Sequence, residues 1–326
     1  MELTTSRDLY AHLSFVCVPL SVGIETCRKC CGGHGYSRFC GISDIWVDYV
    51  PAQTYEGDNI VMFLQTARAL VKTFGGVRKG KVKFDGTSPN YYMHQAAQLG
   101  LEGVLAQRAR ITPEQIGGQG SPEEIAEAHQ AAYTHRASRL LLQSVADLGA
   151  SAKSHPDWSF EQHWEGCKVV LVAMARAHCY HVLVRNFHAS LAGMTMKART
   201  AGAAKESKGI SPPLVAVLRR LCDLFCWSSI YDHYLGEFTA DGYFSFPQTE
   251  AIRLRQLELL GSIRRDAVPL VDSFDFTDFY LNSALGRFDG DVYSCMMEWA
   301  QRNPINRTEI ATGVEEFNIP LLAAKL

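Results

Sequence analysis

The sequence has little net charge, little strand patterning and no sustained apolar run, and each shortage removes a class of function. Its 326 residues carry 32 Lys and Arg against 34 Asp and Glu, a formal net charge of −2. That balance offers no field to hold a phosphate backbone, which argues against DNA or RNA as a partner. Ten cysteines are too few and too irregularly spaced for a disulfide scaffold, so reduced thiols are expected. The apolar stretch from Leu9 to Ile24 is interrupted by Ser14, Pro19 and Ser21 and is too short to cross a bilayer. No secretory n-region precedes an apolar segment at Met1, so neither a leader nor a membrane span is expected. Period-two alternation is nearly absent; Ile45-Trp46-Val47-Asp48-Tyr49-Val50 alone reads as a short extended run.

What is present is helical periodicity. Hydrophobic residues make up 47% of the chain and charged residues 20%, the balance of a globular protein with a sizeable core. Ile60, Leu64, Ala67, Leu70 and Val71 recur at helical spacing, with Asp58 or Asn59 placed to cap the start. The stretch 75–120, with Gly75-Gly76, Gly86, Pro89, Gly117-Gly118 and Gly120, reads as a long connection. Ser121-Pro122-Glu123-Glu124 then opens a helix as a capping box and carries it to about Ser151. Further helices are expected from about Phe160 to Leu191, after Ser211, from Gln248 to Val271, and from Asp291 to Gln301. The fold class is therefore all-α, with long helices joined as an antiparallel bundle. Trp158, Trp164, Trp227 and Trp299 are expected in its core. The chain closes on Ala324-Lys325-Leu326, a small, basic, Leu tripeptide of the type read as a peroxisomal address.

Two short segments carry the chemistry. Cys31-Gly32-Gly33-His34-Gly35-Tyr36 can adopt positive φ and lets a bulky partner approach the backbone. Thr54-Tyr55-Glu56-Gly57-Asp58-Asn59 places a carboxylate at a turn just ahead of a capped helix. Taken singly, glycine clusters make turns and an acid before a helix complements its dipole.

In this order the two segments resemble the acyl-CoA dehydrogenase and oxidase superfamily, and the oxidases in particular. Cys30–Tyr36 and Tyr55-Glu56-Gly57-Asp58-Asn59-Ile60-Val61-Met62 look like that family's segments. So do Leu270–Phe276, Ala284–Tyr293 and Glu298-Trp299-Ala300. The resemblance implies an FAD-dependent enzyme that converts a fatty acyl-CoA to its trans-2-enoyl form and passes two electrons to O2, giving hydrogen peroxide. It implies that Glu56 is the base that removes the α-proton. The backbone amide of Glu56 and a flavin hydroxyl would stabilise the enolate, the logic of an oxyanion hole. Packing against flavin and acyl chain would raise the pKa of Glu56, while the nearby helix start pulls it down.

By the same resemblance Gly32, Gly33, Gly35, Tyr36, Gly57 and Asn59 contact FAD, and Tyr55 lines the acyl pocket. The extra helical block after Phe74 favours an oxidase over a dehydrogenase. The expected organisation is a partial FAD-contacting domain over 1–74, the connection over 75–120, and the C-terminal oxidase helical domain over 121–326. Relatives of this kind are about twice as long, so the chain is expected to be a fragment or one half of a split enzyme. Its expected partners are acyl-CoA, O2, a peroxisomal import receptor, and either a second copy or the missing N-terminal half; its expected location is the peroxisome.

Two other readings remain. One is a non-catalytic helical module that associates with a full-length or split oxidase. The other is a zinc site from Cys27, Cys30, Cys31, His34 and Cys40; it lacks a second well-spaced pair, and no metal site is assigned. His178, His181 and His188 are read as packed or solvent-facing side chains.

Overall fold

The computed structural model describes residues 19–55, 57–201, 210–310 and 313–324, with the backbone alone over 195–201. Among these residues every regular element is helical, as the periodicity predicts, and there is no strand. The α-helices in chain order are α1 (19–30), α2 (Ile42–Tyr49), α3 (Asn59–Arg78), α4 (Tyr92–Leu105) and α5 (Pro122–Ser154). They continue as α6 (Phe160–Gly166), α7 (Lys168–Ala201), α8 (Pro212–Ser228), α9 (Leu235–Ala240) and α10 (Phe246–Ile263). Four shorter ones follow: α11 (Ala267–Asp272), α12 (Asp278–Leu281), α13 (Val292–Arg302) and α14 (Ile319–Ala323). The described residues divide into two compact units, 54–271 and 19–53 with 272–324.

The first unit is a bundle whose helices start where local chemistry dictates. Ser121 accepts from the Glu124 amide while the Glu124 carboxylate accepts from the Ser121 amide at 2.7 Å, with Pro122 in the first turn. Ser159 with Gln162 and Ser245 with Gln248 repeat the device at α6 and α10. The α5 helix packs on α4 and α7, α7 also on α3 and α8, and α8 on α10. Phe63, Phe74, Met93, Leu141, Leu171, Met174 and Trp227 fill the core almost without exposure. The α3 helix is long and apolar enough by composition to span a membrane. Here Phe63, Ala67, Leu70, Phe74 and Val77 on one side of it are buried in the bundle.

Several buried polar groups in this unit are paired. The Arg136 guanidinium, 2% exposed, makes two hydrogen bonds to Glu237, at 2.8 and 3.2 Å, and lies 3.5 Å from the centre of the Tyr234 ring. His181 donates from Nε2 to the Pro89 carbonyl at 3.0 Å, so its Nδ1 accepts from the Thr134 hydroxyl at 3.2 Å. His178 meets the Tyr92 hydroxyl at 3.1 Å.

Five expectations change. The helix expected from Gln248 to Val271 ends at Ile263, and α11 begins after a turn over 264–266. The run Ile45–Val50 is helical rather than extended, because Gly41 opens α2 in the left-handed region and its carbonyl accepts from the Ile45 amide. The helix expected from Phe160 to Leu191 is broken at Cys167 by a 73° bend, just after Gly166. Helix α3 runs through Gly75-Gly76, where the buried side chains of Phe74 and Val77 on either side outweigh the low propensity of glycine, and 75–120 carries α4. Trp158 is 41% exposed and stacks on His155 at 4.0 Å, because it sits in the turn before α6 and not in a helix.

The second unit is thinner. Phe39 and Cys40 are clasped to 283–284: the Ala284 amide donates to the Phe39 carbonyl at 2.7 Å, and the Ser283 hydroxyl to the Cys40 carbonyl at 2.6 Å. Phe39 also lies 5.9 Å from Trp299. Two stretches quoted above for their family likeness, Ala284–Tyr293 and Glu298–Ala300, are thus joined to the end of the glycine segment.

Candidate functional site

The expected constellation divides between the two units, each of which positions its own part. In the thinner unit, helix α1 ends at residue 30 and the chain turns into a tight 3-10 coil over Gly32–Tyr36. Gly35 is buried, and a Cβ there would stand 2.1 Å from the Arg28 carbonyl oxygen. Its lack of a side chain is therefore used by the chain itself, which folds the coil onto α1. Gly32 and Gly33 differ: both are exposed, and nothing lies within 4 Å of where a Cβ would be. Tyr36 is 76% exposed, its ring 4.6 Å from the Arg28 guanidinium. Arg28 also binds Glu25 through Nε at 2.7 Å and the Gly35 carbonyl at 3.3 Å. The hydrogen bond from Arg28 holds the Glu25 carboxyl down to about 2. Gly32, Gly33 and Tyr36 thus present bare backbone and an aromatic ring at the surface, on a coil held by Arg28.

In the bundle, Tyr55 is exposed and Gly57 adopts φ of 120°, where a side chain would be strained and would also stand 2.8 Å from Met62 Sδ. Asp58 caps α3, its Oδ1 accepting from the Ile60 amide at 2.8 Å and the Val61 amide at 3.4 Å. Asn59, the first residue of α3, is 6% exposed, and its Oδ1 has no hydrogen-bond partner among the described residues. A buried acceptor left unmatched in this way calls for a donor from outside the described residues. Glu56, between Tyr55 and Gly57, lies outside the described residues, as do Lys325 and Leu326; Ala324 is exposed. A cavity of 1050 Å³ in the bundle, bordered by Arg108, Arg110, His135 and Tyr243, is lined by none of the expected site residues.

The chain matches the family model described as acyl-CoA oxidase over residues 126–323, and that of the acyl-CoA oxidase C-alpha1 domain over residues 11–71. It is 37% identical over 323 residues to peroxisomal acyl-coenzyme A oxidase 1 of Rattus norvegicus, covering 98% of this chain and 44% of the relative. The Homo sapiens protein of the same name is 36% identical over 310 residues, covering 95% and 43%. Among solved structures, Arabidopsis thaliana acyl-CoA oxidase 1 superposes with a TM-score of 0.78 at 31% identity, over 98% of this chain and 44% of that one. Caenorhabditis elegans acyl-CoA oxidase-1, complexed with FAD and ATP, gives a TM-score of 0.75 at 28% identity, over 99% and 44%. The chain spans less than half the length of these relatives. On sequence and fold, it belongs to the acyl-CoA oxidase family.

Proposed function

We propose that this chain supplies the catalytic base and part of the flavin-facing surface of an FAD-dependent acyl-CoA oxidase. The observation that carries the reading is the start of α3. Gly57 in a backbone conformation suited to glycine, Asp58 as cap and Asn59 with an unmatched buried oxygen directly follow Glu56 in a chain of this family. The residues present fit the cofactor. The Asn59 oxygen offers an acceptor to a flavin N–H or ribityl hydroxyl, and Gly32 and Gly33 offer backbone that a large ring can approach. Bound FAD would take the hydride from the β-carbon of the acyl chain and deliver both electrons to O2, giving hydrogen peroxide.

The chain's own contribution is the proton. The carboxylate of Glu56, next in sequence to Gly57 and the Asp58 cap, removes the α-proton as the α,β double bond forms. The backbone amide of Glu56 donates to the thioester oxygen, where the charge develops. Tyr55 borders the acyl chain. The remainder of the flavin and CoA site belongs to the part of the family's length that this chain does not span, with which its exposed apolar surface associates. Exposed Phe274, Phe276, Phe279, Tyr280 and Phe288 support such association. Location in the peroxisome rests on Ala324-Lys325-Leu326 and on the names of the relatives.

The test is a flavin spectrum and a peroxide assay with a long-chain acyl-CoA, on the chain alone and mixed with the N-terminal half of a relative. Peroxide release that falls by about 100-fold to 10,000-fold in Glu56→Gln, with flavin still bound, is the expected result. Absence of flavin and peroxide from both samples would leave the non-catalytic helical module as the better account.

A further inference from the structure

Helices α5, α7 and α8 bring four metal-ligating side chains to one place inside the bundle, remote in sequence from either segment above. His129 on α5 faces His188 on α7, with Nδ1 and Nε2 3.3 Å apart. Cys222 on α8 places its Sγ 3.7 Å from the same His188 nitrogen. Cys226, one turn further along α8, hydrogen-bonds Cys222 and has its thiol within 4.8 Å of the ligand nitrogens of both histidines. His129, Cys222 and Cys226 are 0% exposed.

The separations have a chemical meaning. A tetrahedral zinc ion with nitrogen at about 2.0–2.1 Å and sulfur at about 2.3 Å sets its ligand atoms roughly 3.3 Å apart for two nitrogens and 3.6 Å for nitrogen and sulfur. The 3.3 Å and 3.7 Å distances here already match those edges. The Cys226 thiol lies within 4.8 Å of both histidine nitrogens, and side-chain movements of about an ångström or more bring it and the Cys222 thiol, which is placed against His188 alone, into one tetrahedral set. A hydrogen bond satisfies two of these four groups at a time, whereas one borderline-soft cation satisfies all of them. Asp223, whose Oδ1 is 3.9 Å from His129 Nδ1, adds a negative charge at the edge of the cluster.

We propose that His129, His188, Cys222 and Cys226 form a zinc site that ties α5, α7 and α8 together. Four protein ligands close the coordination sphere, so the ion has a structural role and leaves no position for substrate. Neither the acyl-CoA chemistry nor the glycine segment is involved.

The experiment uses the whole chain, stripped with a chelator under reducing conditions and checked for retained helical circular dichroism, then titrated with Co2+ and with Zn2+. One equivalent of Co2+ is expected to give tetrahedral visible bands and a thiolate-to-cobalt charge-transfer band, both displaced by Zn2+. Cys226→Ser should abolish the charge-transfer pattern of the pair, and His188→Gln, at a half-exposed position, should weaken binding by about 100-fold or more. Should Cys226→Ser fail to fold, the rise in Tm on adding Zn2+ reads the same site: present in the natural chain, absent in His188→Gln. A folded, stripped chain that takes up no metal overturns the proposal. So does a cobalt spectrum that persists in His188→Gln and disappears when Cys27, Cys30 and Cys31 are replaced by Ser, which would put the ion on the exposed cysteines at the end of α1.

Discussion

The bundle over 54–271 encloses Phe63, Phe74, Met93, Leu141, Leu171 and Trp227 almost completely, whereas the other unit fully buries, of its apolar side chains, Cys40, Ala284 and Cys295. That second unit leaves Phe279 and Phe288 each 88% exposed and Leu322 86% exposed. Yet it holds the glycine segment and the stretches at 284–293 and 298–300, which are among those that resemble the family. Motif strength and self-sufficiency are separate properties. The bundle encloses its own apolar content, and the other unit carries apolar surface suited to contact with another chain.

The largest expected effect tests the bundle. Phe74→Ala removes a ring that is 1% exposed and should cost about 3–5 kcal/mol, read as a lower urea midpoint with an unchanged slope. A loss under about 1 kcal/mol would mean that the bundle core is not what holds this unit.

Acid comes next. Burial, against the opposing hydrogen bond to Pro89, pushes the His181 imidazole down to about 4, and nearby Arg185 adds to the lowering. The unfolded chain has the ordinary value near 6.5, so between these limits it binds a proton that the folded bundle refuses. Stability present above about pH 6.5 is therefore lost as pH falls towards 4, where the buried ring protonates and the loss levels off, at roughly 3 kcal/mol in total. Denaturation curves at pH 7 and 4.5 should converge in His181→Gln relative to the natural chain; parallel curves would remove His181 from the explanation.

In the thinner unit, Gly35→Ala forces a methyl against the Arg28 carbonyl and should cost about 1–3 kcal/mol, with faster amide exchange along α1. Gly33→Ala, which meets nothing, is the matched control. Smallest of all, Phe279→Ala should alter stability by no more than about 0.5 kcal/mol while improving solubility, since its ring is 88% exposed. A large loss there would show that this face is already covered by a second copy in solution.

Features with a local cause were legible in the sequence. The Ser121 capping box, the Asp58 cap, the start of α8 after Ser211 and the extent of α13 all follow from a few adjacent residues. What depended on distant partners was not. A short run rich in Ile, Val and Trp read as extended until Gly41 and its carbonyl fixed α2, and nothing nearby announced that Trp158 would lie outside the core. Of the glycines, sequence suggested approach by an outside partner at all three positions of the segment; at Gly35 the approach is made by Arg28 of the same chain. The cluster of His129, His188, Cys222 and Cys226 spans 59 and 34 positions between its first three members, so no local motif announces it.

The clasp between Cys40 and Ser283 joins residues 243 positions apart. During synthesis at about 5–20 residues per second, the glycine coil emerges roughly 10–50 s before the strip that holds it. All of the bundle's helices up to α10 are made in that interval. The unit that carries the glycine coil is thus assembled last and waits longest, which makes it the stretch most in need of a chaperone on the ribosome.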